Sequence, residues 1–480
     1  MVFMHGFEFE NNQFGEASAA FARCLTADLP GNADFSALER AALRLSEELV
    51  RRHLESVMQT AADAQTREMS VDGILYRRHA LGTVKYHSLC GGLRVRRFSY
   101  RAVGERNGRT CIPLDLQFGI VEGATPAFAF CVAQGYAKGP IRGVEQDLLA
   151  AHRSPPSRST MERLALRLGG KVRETAVRIE THLRATEELT DDAFAINLGL
   201  DRTTVPIAED EPISRKNGSK VKGPPATHRV LRYRMAYVGT VCVTDQEGNA
   251  LLTRRYAAPA HAGAATVIAR MMKDLRWARQ QRPTLNIGVV QDGATELWNR
   301  MRAALFDEFA FKGRRWGVHL WKRLPWRETI DWYHLMGHLY AALQVLVKDK
   351  SRQQEILNSW KSLLSRDEDG IKTIAKWLAN EASGTKREVW WKVQNVLNYI
   401  NVPDYFRYAS LNELGLHKGS GVTEGACKSL ITKRTKRSGQ RFRPRGISAV
   451  LAVRSLLDSD RLARFWEIFA QRYVAQCCAA

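Results

Sequence analysis

The sequence predicts an α/β protein: a mixed-sheet core interrupted by an all-helical insertion and preceded by helical and small β-rich N-terminal modules. Three observations carry that expectation. From about residue 194, short apolar runs alternate with helical patterns, the texture of strands exchanging with helices. From His334 to about Asn398, β character disappears, and Trp and Leu recur at helical spacing. At 480 residues the chain is too long for one hydrophobic core, so two to four domains are expected.

Composition narrows the function classes. Lys and Arg number 72 against 50 Asp and Glu, a formal charge of +22, which calls for a polyanionic partner, since neutralising phosphates releases counterions. The eight cysteines include no CxxC pair, which argues against a zinc ribbon or disulfide framework and for reduced thiols. No apolar run reaches the ~18 residues a membrane helix needs. The start Met1-Val2-Phe3-Met4-His5 turns acidic at Glu8 and Glu10, unlike a signal peptide. The expected location is the cytoplasm, with the nucleoid.

Six segments are expected: 1–70, an N-terminal helical segment; 71–150, a β-rich module; 151–192, helical; 193–334, the first part of the core; 335–415, the helical insertion; 416–480, the last core helices with a basic segment. Leu38, Ala41, Leu45, Val50, Leu54 and Val57 give the first its helical period. In the second, Arg94, Arg96, Arg97 and Arg101 interleave with Phe98 and Tyr100, a pattern compatible with either DNA contact or a solvated strand face. Two apolar patterns flanking Gly169-Gly170 suggest a helix-turn-helix or an ordinary pair of packed helices.

The core reads as a strand at Ala195–Leu200 ending in Asp201, then a basic loop with Arg215, Lys216, Lys220 and Lys222. A strand over 230–244 follows, with a turn at Asp245-Gln246-Glu247-Gly248-Asn249 and a third strand over 250–256. After a helix over 264–280 comes a fourth strand, Leu285–Val290, ending at Gln291-Asp292-Gly293, a helix through Leu305, and a short fifth strand at 317–320. A three-strand meander, a helix and further strands is the element order of the RNase H-like fold.

Asp201 and Asp292 each follow a strongly apolar run, and strand ends are where α/β sheets bind ligands. Two such carboxylates repel each other unless a cation lies between them. Mg²⁺ (or Mn²⁺) suits hard oxygen donors, and a pair of such ions supports in-line displacement at phosphorus. Glu424 lies in the first turn of a helix opened by Gly419-Ser420-Gly421-Val422-Thr423, where a carboxylate also gains from the helix dipole. Lys428, Lys433, Arg434, Lys436, Arg437, Arg441, Arg443 and Arg445 follow with no acid among them, as expected where DNA phosphates pass a metal site. Asp331 is an alternative to Asp292, and Asp191 and Asp192 are the nearest alternatives to Asp201, at the other end of its strand.

Gln291-Asp292-Gly293-Ala294, Asp331-Trp332-Tyr333-His334 and Gly421-Val422-Thr423-Glu424-Gly425 resemble the motifs of DDE-type insertion-sequence transposases, notably the ISKra-type and Lre-type families. The Asp-x-x-His element is also similar to that of Mutator-like transposases. The resemblance spans roughly 74 to 470. It implies that Asp201, Asp292 and Glu424 are catalytic ligands of two Mg²⁺ or Mn²⁺ ions and that Asp331 and His334 are accessory. It further implies strand cleavage and strand transfer on double-stranded DNA, at element ends and target, by a homodimer or higher oligomer. Two departures stand out: the N-terminal cysteines are isolated where relatives often carry a zinc-finger-like segment, and Asp201 is followed by Arg202 where relatives often have glycine. An RNase H-like nuclease without strand transfer, and a non-catalytic DNA-binding protein derived from a transposase, are the alternative functions.

Overall fold

A computed structural model describes residues 11–27, 34–104, 107–212, 227–310 and 324–478. The chain forms two compact units, 1–168 with 466–480, and 169–465.

The first unit opens with helices α1 (Asn11–Ala27) and α2 (Phe35–Asp63), the latter started by the Asp34 carboxylate accepting from the Ala37 N–H at 2.7 Å. Strands β1 (Glu68–Val71), β2 (Ile74–Ser88), β3 (Gly91–Ala102) and β4 (Thr110–Cys111) form an antiparallel sheet in sequential order. The β1–β2 turn is Asp72-Gly73, both left-handed at φ 51° and 76°, a conformation that glycine and aspartate tolerate best. Met58 and Ala62 of α2 pack on Tyr86, Leu93 and Val95, so alternate residues of β2 and β3 are buried against the helix. The module is β-rich only in its first half. Helices α3 (Pro113–Gln117), α4 (Pro126–Lys138) and α5 (Ile141–Ala150) follow, and Pro113 and Pro126 sit in first turns, where a missing N–H costs nothing.

Helix α6 (Arg158–Thr186) is continuous through Gly169-Gly170, so the expected break, and a helix-turn-helix with it, is absent. Gly169 serves packing instead of turning: a Cβ there would lie 2.5 Å from the Cβ of Ala449.

The second unit holds β5 (Ala195–Pro212), β6 (Thr227–Thr244), β7 (Ala250–Pro259), helix α7 (Gly263–Gln281), β8 (Asn286–Gln291), helix α8 (Thr295–Glu308) and β9 (Arg327–Ile330). The sheet order is β7-β6-β5-β8-β9; β5–β6 and β6–β7 are antiparallel, β5–β8 and β8–β9 parallel. Two expectations shift. β5 does not stop at Asp201 but runs on to Pro212 beside β6, and the fifth strand is β9; residues 317–320 lie outside the described residues. The turn at Asp245–Asn249 is as expected, with Gly248 left-handed and the Asp245 carboxylate accepting from Asn249 N at 2.7 Å.

Helices α9 (Trp332–Leu346), α10 (Lys350–Arg366), α11 (Gly370–Ala382) and α12 (Arg387–Tyr399) form the insertion. Leu339, Leu343, Trp360, Leu364, Leu378 and Val393 bury its apolar stripes, while Trp390 and Trp391 stay partly exposed. Helix α13 (Gly421–Ala426) runs into a π-helical turn, Cys427–Thr432, and α14 (Lys433–Thr435); α15 (Pro444–Leu457) and α16 (Leu462–Cys478) complete the chain. Among the described residues no helix is long and apolar enough to cross a membrane.

A buried polar cluster centres on Asp274 in this unit. Asp274 is fully enclosed and accepts from Arg184 Nε at 2.6 Å, Arg254 Nη1 at 2.7 Å and the Tyr256 hydroxyl. Arg254 and Arg461 both donate to Glu187 as well. The neighbouring guanidinium charges hold the Asp274 carboxyl below the ordinary carboxylate range against the opposing effect of burial.

Candidate active site

Strand register, more than sequence, aligns the acidic residues. β5 and β8 pair from Ala195↔Asn286 to Gly199↔Val290, and two residues further along the same register Asp201 comes level with Asp292. β8 and β9 pair up to Gln291↔Ile330, and the Asp331 N–H continues the ladder by donating to Gln291 O at 2.8 Å. The ladders thus direct Asp201 of β5, and Asp292 and Asp331 just past the C-terminal ends of β8 and β9, toward one edge of the sheet. Residues level in a parallel ladder share a face. The side is marked two residues earlier by Gly199, whose absent Cβ would meet Thr423 of α13.

Glu424 comes to this edge on α13. Thr423, the preceding residue, is buried and shares a 2.7 Å hydroxyl hydrogen bond with Thr240 of β6, which pins the helix across β5 and β6. The Cys427 thiol, one turn on, donates to Asp201 Oδ2 at 3.3 Å, while the Arg202 N–H donates to Oδ1 at 2.6 Å. Burial, then the nearby charge of Asp201, pushes the Cys427 thiol far up, so it stays a neutral donor. The π-helical turn disturbs the regular ladder, and the buried Arg454 donates to the carbonyls of Ser429 and Leu430, the latter at 2.9 Å.

The two rival aspartates differ in environment. Asp331 is buried: its Oδ1 caps α9 by accepting from His334 N at 2.6 Å, and its Oδ2 accepts from Ser420 N, tying the glycine-rich approach to β9. Asp292 is half-buried and uses Oδ1 for the Ala294 N–H at 3.0 Å. Glu424 is exposed, with the Ser420 hydroxyl 3.4 Å from its Oε1. Asp191 and Asp192 are exposed and precede β5, at the opposite end, where Asp191 pairs with Arg282.

Among the described residues, none of Asp201, Asp292, Asp331 and Glu424 forms an ion pair. Their partners are backbone N–H groups, a hydroxyl and a thiol. Carboxylates that lack an ion-pair partner are the groups whose charge a bound cation would compensate. The donors are hard oxygens, the kind that suits Mg²⁺ or Mn²⁺. No three His, Cys, Asp or Glu side chains among the described residues are gathered closely enough to hold a metal ion.

The insertion adds an aromatic wall. The Tyr399 hydroxyl lies 3.4 Å from the Asp292 carbonyl, and its ring stands against Gly293, which is left-handed at φ 96°. His338 stacks on Tyr399 at 4.1 Å, and His334 lies 5.0 Å from His338. Burial and then the charges of Asp292 and Asp331 push the Tyr399 phenol far up.

Of the basic residues, Lys428, Lys433, Lys436, Arg437, Arg441, Arg443 and Arg445 are exposed. Arg434 is not available to phosphate: it is fully buried, with its guanidinium 4.9 Å from the centre of the Phe442 ring. The segment is fastened to β5 by Ala208 N donating to Phe442 O at 2.8 Å, and Lys436 reaches Thr203 at 3.1 Å. Arg215, Lys216, Lys220 and Lys222 lie outside the described residues.

Sequence reasoning missed Cys427, Tyr399, His338 and the Thr240–Thr423 pair. Gly199 was the available signal, because a glycine inside a buried strand marks close approach of another chain segment. No protein-family model matches this chain, and no curated protein matches it.

Proposed function

We propose that the chain is a DDE-type DNA transposase with an RNase H-like core, in which Asp201, Asp292 and Glu424 hold divalent cations. The single observation that carries this reading is the alignment of Asp201 with Asp292 on adjacent parallel strands, with the Glu424 helix pinned beside them and no Lys or Arg compensating their charge among the described residues. The strand order, three antiparallel strands followed by two parallel ones after a helix, supports the core assignment.

Bound there, Mg²⁺ or Mn²⁺ would supply activation of the attacking oxygen and stabilisation of the leaving one at a DNA phosphate. The chain's own residues position. Arg202 N and Cys427 orient the Asp201 carboxylate, Asp331 fixes the glycine-rich approach to Glu424, and the exposed cations from Lys428 to Arg445 hold backbone phosphates. Asp331, with both oxygens engaged in the fold, acts as a positioning residue, with His334 beside it.

The test is Mg²⁺-dependent nicking of supercoiled plasmid and strand transfer from a labelled donor duplex into it. Asp201→Asn, Asp292→Asn and Glu424→Gln should each lower cleavage by at least about 100-fold. Stability should change by no more than about 1 kcal/mol, because each amide keeps an oxygen to accept the backbone N–H or hydroxyl bond and none of the three takes part in an ion pair among the described residues. Cleavage that survives all three substitutions refutes the site. Cleavage without joining identifies a nuclease, and duplex binding without cleavage by the wild-type chain identifies a non-catalytic DNA-binding protein.

A further inference from the structure

The β2–β3 ribbon of the first unit carries an arrangement that folding alone does not favour. In its register Lys85 stands directly across from Arg94, and Thr83 across from Arg96. Directly opposed residues have Cβ atoms about 5 Å apart, and like charges so placed destabilise a sheet. Arg94 and Arg96, two residues apart, lie on one face at about 7 Å spacing. That face is the one turned away from α2, because the alternate residues Tyr86, Leu93 and Val95 pack on Met58 and Ala62.

Lys85, Arg94 and Arg96 are all exposed, and none of their side chains makes an ion pair or hydrogen bond among the described residues. The nearby acids are already committed. Glu55 accepts from Arg51 at 2.9 Å and from the Arg94 backbone N–H at 2.7 Å. Glu122 pairs with Arg167 at 2.7 Å. The Lys85 side chain lies over Gly92, where a Cβ would be 2.2 Å from its Cε, so this glycine gives the lysine room to lie across the ribbon. On the same face His87 borders a cleft of about 280 Å³ lined also by Glu122, Arg163 and Arg167; Arg167 is paired with Glu122, so Arg163 is the cation this cleft adds.

We propose that this face of the β2–β3 ribbon is a second phosphate-binding surface, docking the backbone of duplex DNA through Lys85, Arg94 and Arg96. Uncompensated cations held in cross-strand opposition are complementary to closely spaced phosphates, and a two-stranded antiparallel ribbon is narrow enough to lie along a duplex groove. Its residues belong to the first unit, whereas the acidic site and the segment after Glu424 belong to the second. It shares with the proposed function only the choice of DNA as partner.

The experiment is a salt titration of full-length protein binding to a fluorescein-labelled duplex, wild type against a K85A/R94A/R96A variant, with thermal unfolding of both. Each phosphate contact contributes about 0.9 to the slope of log K against log salt, so the variant should lose about 2.7. Its melting temperature should be equal or higher, since the substitutions remove a like-charge repulsion. An unchanged slope overturns the proposal. So does a lower melting temperature with the slope intact, which would show the cations to be structural. Plasmid nicking run in parallel separates the two readings: a wild type that nicks with Mg²⁺ while the variant keeps its salt slope defeats this surface alone. A wild type that binds no duplex at any salt defeats both.

Discussion

A single methyl group at Gly199 tests how the Glu424 helix is held. The Cβ of Gly199→Ala would lie 1.9 Å from Thr423 Oγ1, 2.9 Å from Thr240 Oγ1 and 3.2 Å from Thr423 Cβ. Both threonines are buried, and their hydroxyls share a 2.7 Å hydrogen bond, so a shift of either side chain breaks that bond. The methyl therefore displaces α13 or breaks the hydroxyl pair. Overpacking of this kind costs about 1–3 kcal/mol, and loss of a buried hydrogen bond adds about 1 kcal/mol. A total of about 2–4 kcal/mol corresponds to a fall in melting temperature of roughly 3–6 °C for a unit of about 300 residues. Circular dichroism or differential scanning fluorimetry reads it directly. The double variant G199A/T423A, which removes the atom in collision, should recover at least half of the loss, whereas G199A/T423S, which keeps the hydroxyl, should not. A G199A protein that melts within about 1 °C of wild type, or a T423A change that gives no relief, would refute the account of how Glu424 is brought to Asp201.

Two predictions follow from buried charges in the same unit. Asp274→Asn removes the negative partner of Arg184 and Arg254 in a fully enclosed setting and should destabilise by about 3–5 kcal/mol, measured as the shift in urea midpoint multiplied by the slope; a loss below about 1 kcal/mol would show that the cluster is solvated. Burial, aided at His338 by the charge of His334, holds the imidazoles of His338 and His417 below the ordinary histidine value. Above about pH 6.5 they are neutral folded or unfolded and add nothing; below it the unfolded chain binds protons that the folded one refuses, so stability should fall as pH drops from about 6.5 to 5. Asp274, whose folded value is depressed, keeps its contribution above about pH 4 and loses it only under stronger acid, so the two effects occupy separate windows of a denaturation series. A urea midpoint that is flat or rising between pH 7 and 5.5 contradicts the histidine assignment.

Much of the second unit was legible in the sequence because its local signals agree. The apolar runs at Ala195–Leu200 and Ile287–Val290 are buried strands, Asp245–Asn249 is a turn with Gly248 left-handed, and Leu339, Leu343 and Trp360 lie on buried stripes. Elsewhere the signals were ambiguous or pointed elsewhere. Gly169-Gly170 reads as a break, yet the tight approach of Ala449 keeps α6 helical, because packing outweighs the ~1 kcal/mol propensity cost of each glycine. Arg434 reads as one more surface cation in a basic run, yet it is buried against Phe442. Asp331 and Asp292 both read as candidate ligands, and only their surroundings distinguish them.

By itself the sequence determined which stretches alternate as strands and helices, how basic the protein is, and which acids follow apolar runs, because periodicity and charge are properties of neighbours along the chain. The tertiary structure alone decided that Asp201 and Asp292 come level, that Thr423 rests on Gly199, and that Cys427 meets Asp201. Strand register and helix seating depend on residues up to 226 positions apart, whose approach is selected by packing and not by any local preference.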